Sequence, residues 1–518
     1  MAGKGGILGH IFTVGGFTAL SRVLGLVREM LQSRLIGAGI EQSAFTLAFA
    51  IPNMARKLFG EGALTAAFVP VFKGEVGRGE IESARRLARA VMTLMLLILA
   101  AVVGLTVAGL TVWLDASLVP RSASARTVLT VRLVRILLPY MIFICGAAFG
   151  MGVLNALGKF AEGAIMPAML NVVWIGTLGA LCFFPGMDLS TRVTVVCWAI
   201  LAGGLAQMLF LFRCMAKRGF PPRLSFAGFR DEKTRLVWRN TLVAAVGAGA
   251  IQINYMLDQV LAQCAAPWAA GVIGYAERLM DLPLGVVGVA FGTVLLPTFA
   301  GFFAQDDADG ARRVLSSSLV NLMAVMIPAA AGLCVLAPEV TSVIYEGNAF
   351  DATATVRVSR ALAVYAVGLA FFGYQKSLIP WFQAQNDMKT PLHVSVASVC
   401  LNAALNVLAV ATLPEEIRHV GLAASTVLCA FFGCALLTVF ARRKNGPLGL
   451  AGTLPAVLKI LVAAGIMTGT LVFLRPYLAR LNRIFALAVL VIDGMGVYAV
   501  LLTLFRVRPR RPDSNPRR

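Results

Sequence analysis

Fourteen runs of about 20 or more mainly apolar residues follow one another along this chain, the first over 9–38 and the last over 482–506. A run of that length matches the hydrocarbon thickness of a bilayer when it is helical. Inside hydrocarbon every backbone N–H and C=O must be satisfied within the protein, which leaves helices or closed barrels, and continuous apolar runs of this length are helices. The expected fold is therefore an all-α polytopic membrane protein with fourteen transmembrane helices. Composition agrees, since 58% of the 518 residues are hydrophobic and 14% charged, against about 45–50% and about 25% in soluble domains.

Orientation follows from the basic residues. They gather after the second run (Lys73, Arg78, Arg85, Arg86, Arg89), after the sixth (Arg213 to Arg239), after the eighth (Arg312, Arg313), after the twelfth (Arg442, Arg443, Lys444) and in the tail from Arg506. All are even-numbered loops or the C-terminus, so the positive-inside rule places both termini in the cytoplasm. The loop after the third run, with Arg121 and Arg126, is a mild departure. The net charge of +21 then points to anionic membrane lipids as partners. Nucleic acid is not expected, because no aromatic-basic platform accompanies the charge. The nine cysteines stand singly in apolar runs with no C-x-x-C, so neither a disulfide framework nor a metal site is indicated. The N-terminal run carries a positive charge like a signal peptide, but it continues into charged helix without a cleavage site and reads as a retained first helix.

The two halves echo each other. IPNMARKLFGEGALTAAFVPVF and LPLGVVGVAFGTVLLPTFAGFF each hold two prolines, the second followed by x-F, and Pro52 and Pro283 lie 231 residues apart. A second pair, Pro167 and Pro391, lies 224 apart. Near-equal offsets argue for a repeated six-helix unit, a plan that places binding sites between repeats. The expected organisation is two pseudo-symmetric six-helix lobes and two extra C-terminal helices. The boundaries are an N-lobe over 1–215, a basic cytoplasmic linker over 216–240, a C-lobe over 241–445, the extra pair over 446–506 and a basic tail over 507–518.

Charge inside such helices is the informative feature. Ser21–Pro70 reads as two apolar helices joined by a Gly-rich turn, yet it carries Arg22, Arg28, Glu29, Arg56, Lys57 and Glu61. A basic side chain at mid-membrane costs roughly 2.5 to 3.5 kcal/mol on insertion scales, so such groups face a bundle interior or a watery cavity. Arg22 and Glu29, seven apart, share a helix face, while Arg28 is turned about 120° from Arg22. Gly25 between them permits a bend. Arg278 stands beside Glu277 and ahead of Asp281 in the eighth run. Several guanidinium groups suit an anionic ligand such as a diphosphate, which they grip bidentately at any working pH. Taken singly, each arginine reads equally well as a snorkelling or ion-paired structural residue; their joint occurrence favours the ligand.

These same stretches, SRVLGLVRE, AFTLAFAIPNMARKLFGEGALTAAFVPVF and YAERLMDLPLGVVGVAFGTVLLP, resemble the MurJ (MviN) family of lipid II flippases, within the multidrug/oligosaccharidyl-lipid/polysaccharide exporter superfamily. The resemblance runs over nearly the whole chain. It implies that Arg22, Arg28, Arg56 and Arg278, with Glu61 and Glu277 beside them, line a central cavity and hold the diphosphate of lipid II. It also implies a bacterial inner-membrane location, and a groove in the extra helix pair for the polyprenyl tail, where packing or assembly is the plainer alternative. Two departures stand out: Ser43 and Glu277 occupy positions where many members carry Asp.

Oxygen-bearing residues form a second constellation. Asn254 and Asp258, and Asn402 and Asn406, are i,i+4 pairs, and Ser425 and Thr426 follow in the twelfth run. Each pair shares a face. Their oxygens could hold Na⁺ or serve as interhelical hydrogen-bond glue. In some members of the resembled family a sodium site occupies this region, which Asp258, Asn402, Asn406 and Thr426 resemble in position, with Asn406 where an Asp is expected. No cofactor is otherwise required. The three histidines are scattered and no Walker A loop, G-x-S-x-G or H-E-x-x-H occurs, so an enzyme or an ATP-driven pump is not expected. The expectation is a monomeric lipid II flippase working by alternating access, with the cell-wall synthesis machinery as a protein partner. The rivals are a flippase for another polyprenyl-linked glycan and an ion-coupled multidrug or small-molecule antiporter.

Overall fold

A computed structural model describes residues 4–57, 62, 64–115 and 124–506. Among these the regular structure is helical. The N-terminal part holds α1 (Lys4–Ile36), α2 (Ile40–Ala55), α3 (Leu64–Gly77), α4 (Ile81–Asp115), α5 (Ala125–Leu137), α6 (Tyr140–Ala156), α7 (Ala161–Ala164), α8 (Met166–Leu181) and α9 (Leu189–Lys217). Then come α10 (Glu232–Ala265), α11 (Ala269–Ala304), α12 (Ala308–Val335), α13 (Ala337–Tyr345), α14 (Ala352–Gln383), α15 (Lys389–Thr412), α16 (Glu415–Asn445), α17 (Leu454–Leu478) and α18 (Arg483–Leu504). Every apolar run of the sequence falls on one helix or on two consecutive ones. Among the described residues, ten helical segments are long and apolar enough to cross a membrane.

The chain forms two compact units, one of residues 1–260 with Gly347–Phe350, the other of residues 261–346 and 351–518. Within the first, α6 packs on α9, α2 on α5, α8 on α9 and α1 on α8. Within the second, α14 packs on α16, α11 on α14 and α15 on α16. Counted by apolar run, the second pairs with the fourth, the fourth with the sixth and the fifth with the sixth, and the same three pairings recur six runs later. Pro167 and Pro391 both stand in the first turn of their helices, α8 and α15, where a missing N–H costs nothing.

The interior of the first unit is aromatic and aliphatic, with Phe68 against Phe149 at 4.9 Å between ring centroids and Trp174 edge-on to Phe45 at 5.6 Å. Large apolar side chains such as Leu105, Val407, Phe473 and Ile492 are instead exposed. That inversion suits helices whose outer solvent is hydrocarbon, where surface leucines cost nothing. Two local devices shape the first unit. Gly37 ends α1 at φ +82°, where a Cβ would sit 2.2 Å from the Ala349 carbonyl oxygen, and the Ala349 N–H donates to the Arg34 carbonyl at 3.1 Å. After α2 the helix widens into a π turn at Arg56 and Lys57. Gly62 accepts that widening, since a Cβ there would lie 2.5 Å from the Lys57 carbonyl oxygen.

Candidate functional site

In the first unit the arginines of α1 have different surroundings, as their 120° separation requires. Arg22 is exposed. Arg28 is half-buried, its side chain 14% exposed, and three groups hold it. Its Nη1 donates to Asn171 Oδ1 at 2.9 Å and its Nη2 to Glu29 Oε1 at 2.5 Å. The guanidinium carbon lies 4.4 Å from the centroid of the Trp174 ring. Asn171 is fixed in turn by donating to the Ser21 carbonyl at 3.1 Å, so both ends of this α1 stretch are tied to α8. The Nε of Arg28 is enclosed and meets no acceptor among the described residues. Helix α1 runs unbroken through Gly25, whose missing Cβ would make only ordinary contact with Asn171.

At the end of α2, Arg56 donates from Nε and Nη2 to Asn53 Oδ1 at 3.1 and 3.0 Å. The neighbouring Lys57 ammonium sits 5.1 Å from the Tyr255 ring centroid. π turns recur at functional positions because they re-aim side chains that a regular helix would place elsewhere. Glu61 lies outside the described residues. Sequence reasoning missed Asn171 and Trp174. Their signal was an Asn three residues before a Trp, one face of a run that is otherwise apolar.

In the second unit Glu277 accepts from the Tyr365 hydroxyl at 3.4 Å, beneath a buried pair of rings, Tyr275 and Tyr345, 4.7 Å apart. Arg278 is exposed on α11. One turn along the same helix, Leu282 and Pro283 line a cavity of about 550 Å³ formed by α11, α12, α13, α17 and α18. Its walls are apolar, among them Pro328, Leu336, Met467 and Leu490. The Tyr498 hydroxyl on its border is spent on the Ala324 carbonyl at 2.8 Å. Such a volume falls in the range of small-molecule sites. Two ion pairs join helices of the same group, Glu339 with Arg475 and Glu346 with Arg483, the latter at 2.6 Å.

The oxygen constellation divides between the units. In the first, Asn254 donates to Asp258 Oδ2 at 3.2 Å. In the second, Asn406 donates to Asn402 Oδ1 at 3.1 Å, both buried, and Thr426 donates to the Leu422 carbonyl at 3.2 Å. A hydroxyl that donates to its own helix keeps its lone pairs, so Asn402, Asn406 and Thr426 each present a neutral oxygen. No group of three or more His, Cys, Asp or Glu gathers for a metal among the described residues.

Outside the spans, Glu75 has a 3% exposed side chain and accepts from Lys233 Nζ at 2.6 Å and from Ser83 Oγ at 2.5 Å. The Lys233 ammonium, then the Ser83 hydroxyl, hold its carboxyl below the usual carboxylate range against the opposing pull of burial. Asp387, bonded to Lys444 at 2.9 Å, is pulled down to about 2 by that ammonium and by the Thr390 N–H.

Comparison with known proteins places this geometry. The sequence model of the family described as Lipid II flippase MurJ matches residues 32–492. A probable lipid II flippase MurJ of Rhizobium tropici is 32% identical over 503 residues, 95% of this chain and 93% of that protein. A lipid II flippase MurJ of Burkholderia cenocepacia is 31% identical, covering 89% of this chain and 88% of its own length. Among solved structures, a lipid II flippase MurJ in an inward-closed conformation has a TM-score of 0.77 at 23% identity, over 96% of this chain and 99% of that one. An inward-facing multidrug resistance MATE family transporter of the MOP superfamily has a TM-score of 0.68 at 15% identity, over 84% and 98%. These two likenesses are likenesses of fold.

Proposed function

The chain belongs to the MurJ family of lipid II flippases, and from that membership we propose that it carries lipid II, the undecaprenyl-diphosphate-linked peptidoglycan precursor, from the cytoplasmic to the periplasmic leaflet by alternating access. It is a multi-pass membrane transporter and not an enzyme. Fourteen crossings with both termini cytoplasmic is the topology that fits the basic loops, and the lobes are those of residues 1–215 and 241–445, joined by the linker over 216–240.

The observation that carries the reading is on α11. Arg278 stands one turn from the side chains that open the apolar cavity, so one helix offers a cation to a diphosphate and hydrocarbon to the tail behind it. An amphiphile with an anionic head and a long apolar tail is the substrate class such a helix suits. It is ill matched to a cationic drug, which would call for acidic and aromatic walls. Arg28 is the matching group of the first unit. Its bonds to Asn171 and Glu29 keep the planar guanidinium aimed, and a ligand phosphate would compete with Glu29 for the same donors. Arg22 and Arg56 add charge, and Glu61 and Glu277 set how strongly each cation is neutralised without ligand. Alternating access then draws on differential affinity, since bound diphosphate can shift the equilibrium only by preferring one state. Membrane potential, worth about 2.3 kcal/mol per charge per 100 mV, would help reset a cavity so rich in arginine. Na⁺ held by Asp258, Asn402, Asn406 and Thr426 is a second proposed input, tested by Na⁺ dependence of flipping in proteoliposomes. The monomer and the cell-wall synthesis machinery are the proposed assembly and partner.

The test is depletion of the protein in a cell without a redundant flippase, with lipid II measured in each leaflet. Accumulation in the cytoplasmic leaflet is expected, and its absence would remove the substrate. Arg28→Ala and Arg278→Ala are expected not to rescue; full rescue by both would remove the diphosphate clamp.

A further inference from the structure

The stretch between α9 and α10 takes no part in the transport reading, yet it is laid along α3 and α4 by three contacts. Arg85 donates from Nε to the Gly219 carbonyl at 2.7 Å. The buried Phe220 ring meets Phe72 edge-on at 5.2 Å. Ser225 donates its N–H to Thr93 Oγ1 at 2.9 Å.

These ties fix a depth. Arg89 is the last charged residue of α4 before the 25 uncharged residues of 90–114, so it marks where headgroups give way to acyl chains. Thr93 is one turn further in, about 6 Å at the helical rise. The residues flanking Ser225 therefore lie at the level of the first acyl carbons. They are Leu224 and Phe226, 67% and 69% exposed, an arrangement that is unfavourable in water and favourable in lipid.

Just outside that level, Arg85 and Arg89 border a small depression whose floor is Ala88, Met92, Phe220 and Pro221. Arg89 is half-buried and lines the depression together with Arg85. Two cationic side chains on one depression at headgroup depth suit an anionic lipid headgroup. We propose that this groove binds the headgroup phosphate of an anionic glycerophospholipid of the surrounding leaflet, with the phosphate on Arg89 beside the charge of Arg85 and an acyl chain along Leu224 and Phe226. A free phosphate has the same oxygens but nothing to cover the two exposed apolar side chains, which is why the lipid is the better ligand. Occupancy would pin the linker against α4 and so bear on how freely α10, which follows it, can move.

The test uses the full-length protein in nanodiscs of phosphatidylcholine with graded phosphatidylglycerol, the retained lipid being counted by native mass spectrometry. Arg89→Gln is expected to lower phosphatidylglycerol retention about fivefold, the factor one basic residue contributes at an anionic surface. Arg313→Gln, on another basic loop, is expected to leave it unchanged. In a separate protein, Phe226→Trp places an indole at an exposed position that folding does not depend on, and brominated acyl chains are expected to quench its fluorescence. Equal retention by wild type and Arg89→Gln overturns the proposal, as does an unquenched indole. Competition by glycerol 1-phosphate as effective as that of the phospholipid marks a soluble-phosphate site and overturns it too.

Discussion

At the scale of residues, the sharpest statement concerns Arg28. Its guanidinium does three things that one ammonium cannot do together: it donates to Asn171, donates to Glu29 and lies over the Trp174 ring. Arg28→Lys preserves charge and loses the planar fork. We expect flipping to fall about tenfold or more, in line with the loss of one charge-assisted hydrogen bond, and Asn171→Ala to show a smaller loss in the same assay. Glu75 gives a stability prediction. Its folded pKa lies below the ordinary glutamate value of 4.5, so its contribution is complete above that value and is lost as pH falls through the folded pKa. Lys233, raised by the same bond, contributes below its unfolded value of 10.5 and loses that contribution only in stronger alkali. Glu75→Gln should therefore cost about 1–3 kcal/mol at neutral pH, a deficit that shrinks as thermal unfolding is followed down from pH 5. The intramembrane arginines were legible from sequence because charge in a 20-residue apolar run has few explanations. Asn171 and Trp174 were not, because neutral polar and aromatic residues in such runs are ordinary and only the packing of α1 on α8 gives them a cation to hold.

At the scale of elements, glycine positions separate backbone demand from open space. Gly37 has φ +82° and a Cβ site 2.2 Å from a carbonyl oxygen, so Gly37→Ala should destabilise by more than about 1 kcal/mol in thermal unfolding. Gly332 lines the apolar cavity and has nothing within 4 Å of its Cβ site. Gly332→Leu should keep or raise the melting temperature, because a helical glycine is replaced by a good helix former. The same change fills the cavity, so flipping should drop while binding of a short-tailed diphosphate is unaffected. Helix positions were readable from the apolar runs, while α4, α5 and α12 begin seven or eight polar-rich residues ahead of theirs. The break after α2 was not, because a π turn at Arg56 and Lys57 depends on Gly62 meeting the Lys57 carbonyl, a contact no periodicity reports.

At the scale of the whole molecule, loop ties obey one parity. Arg85 reaches the Gly219 carbonyl, joining the loops after the second and sixth apolar runs, and Arg312 reaches the Asn445 carbonyl, joining those after the eighth and twelfth. Arg192 reaches the Leu35 carbonyl and Arg418 the Ala265 carbonyl, joining odd loops. Within each unit these ties support the proposed alternation of faces. Reporter fusions check it: alkaline phosphatase joined after Lys217 or Arg506 should be inactive, and after Gly186 or Gly347 active. An active fusion at Lys217 would reverse the orientation.

From residue order alone the class and the helices follow, and arginines within apolar runs point to an anionic ligand. Hydrocarbon admits only a closed hydrogen-bonded backbone, and it makes each buried charge conspicuous against an apolar background. Tertiary structure decided what those charges touch: Arg28 held by a neighbouring helix, Arg278 beside an apolar cavity, Glu75 closed over by a lysine 158 residues away. Contacts of that kind depend on which faces of distant helices meet. Apolar faces in a membrane protein are nearly interchangeable in composition, so their pairing leaves little trace along the chain.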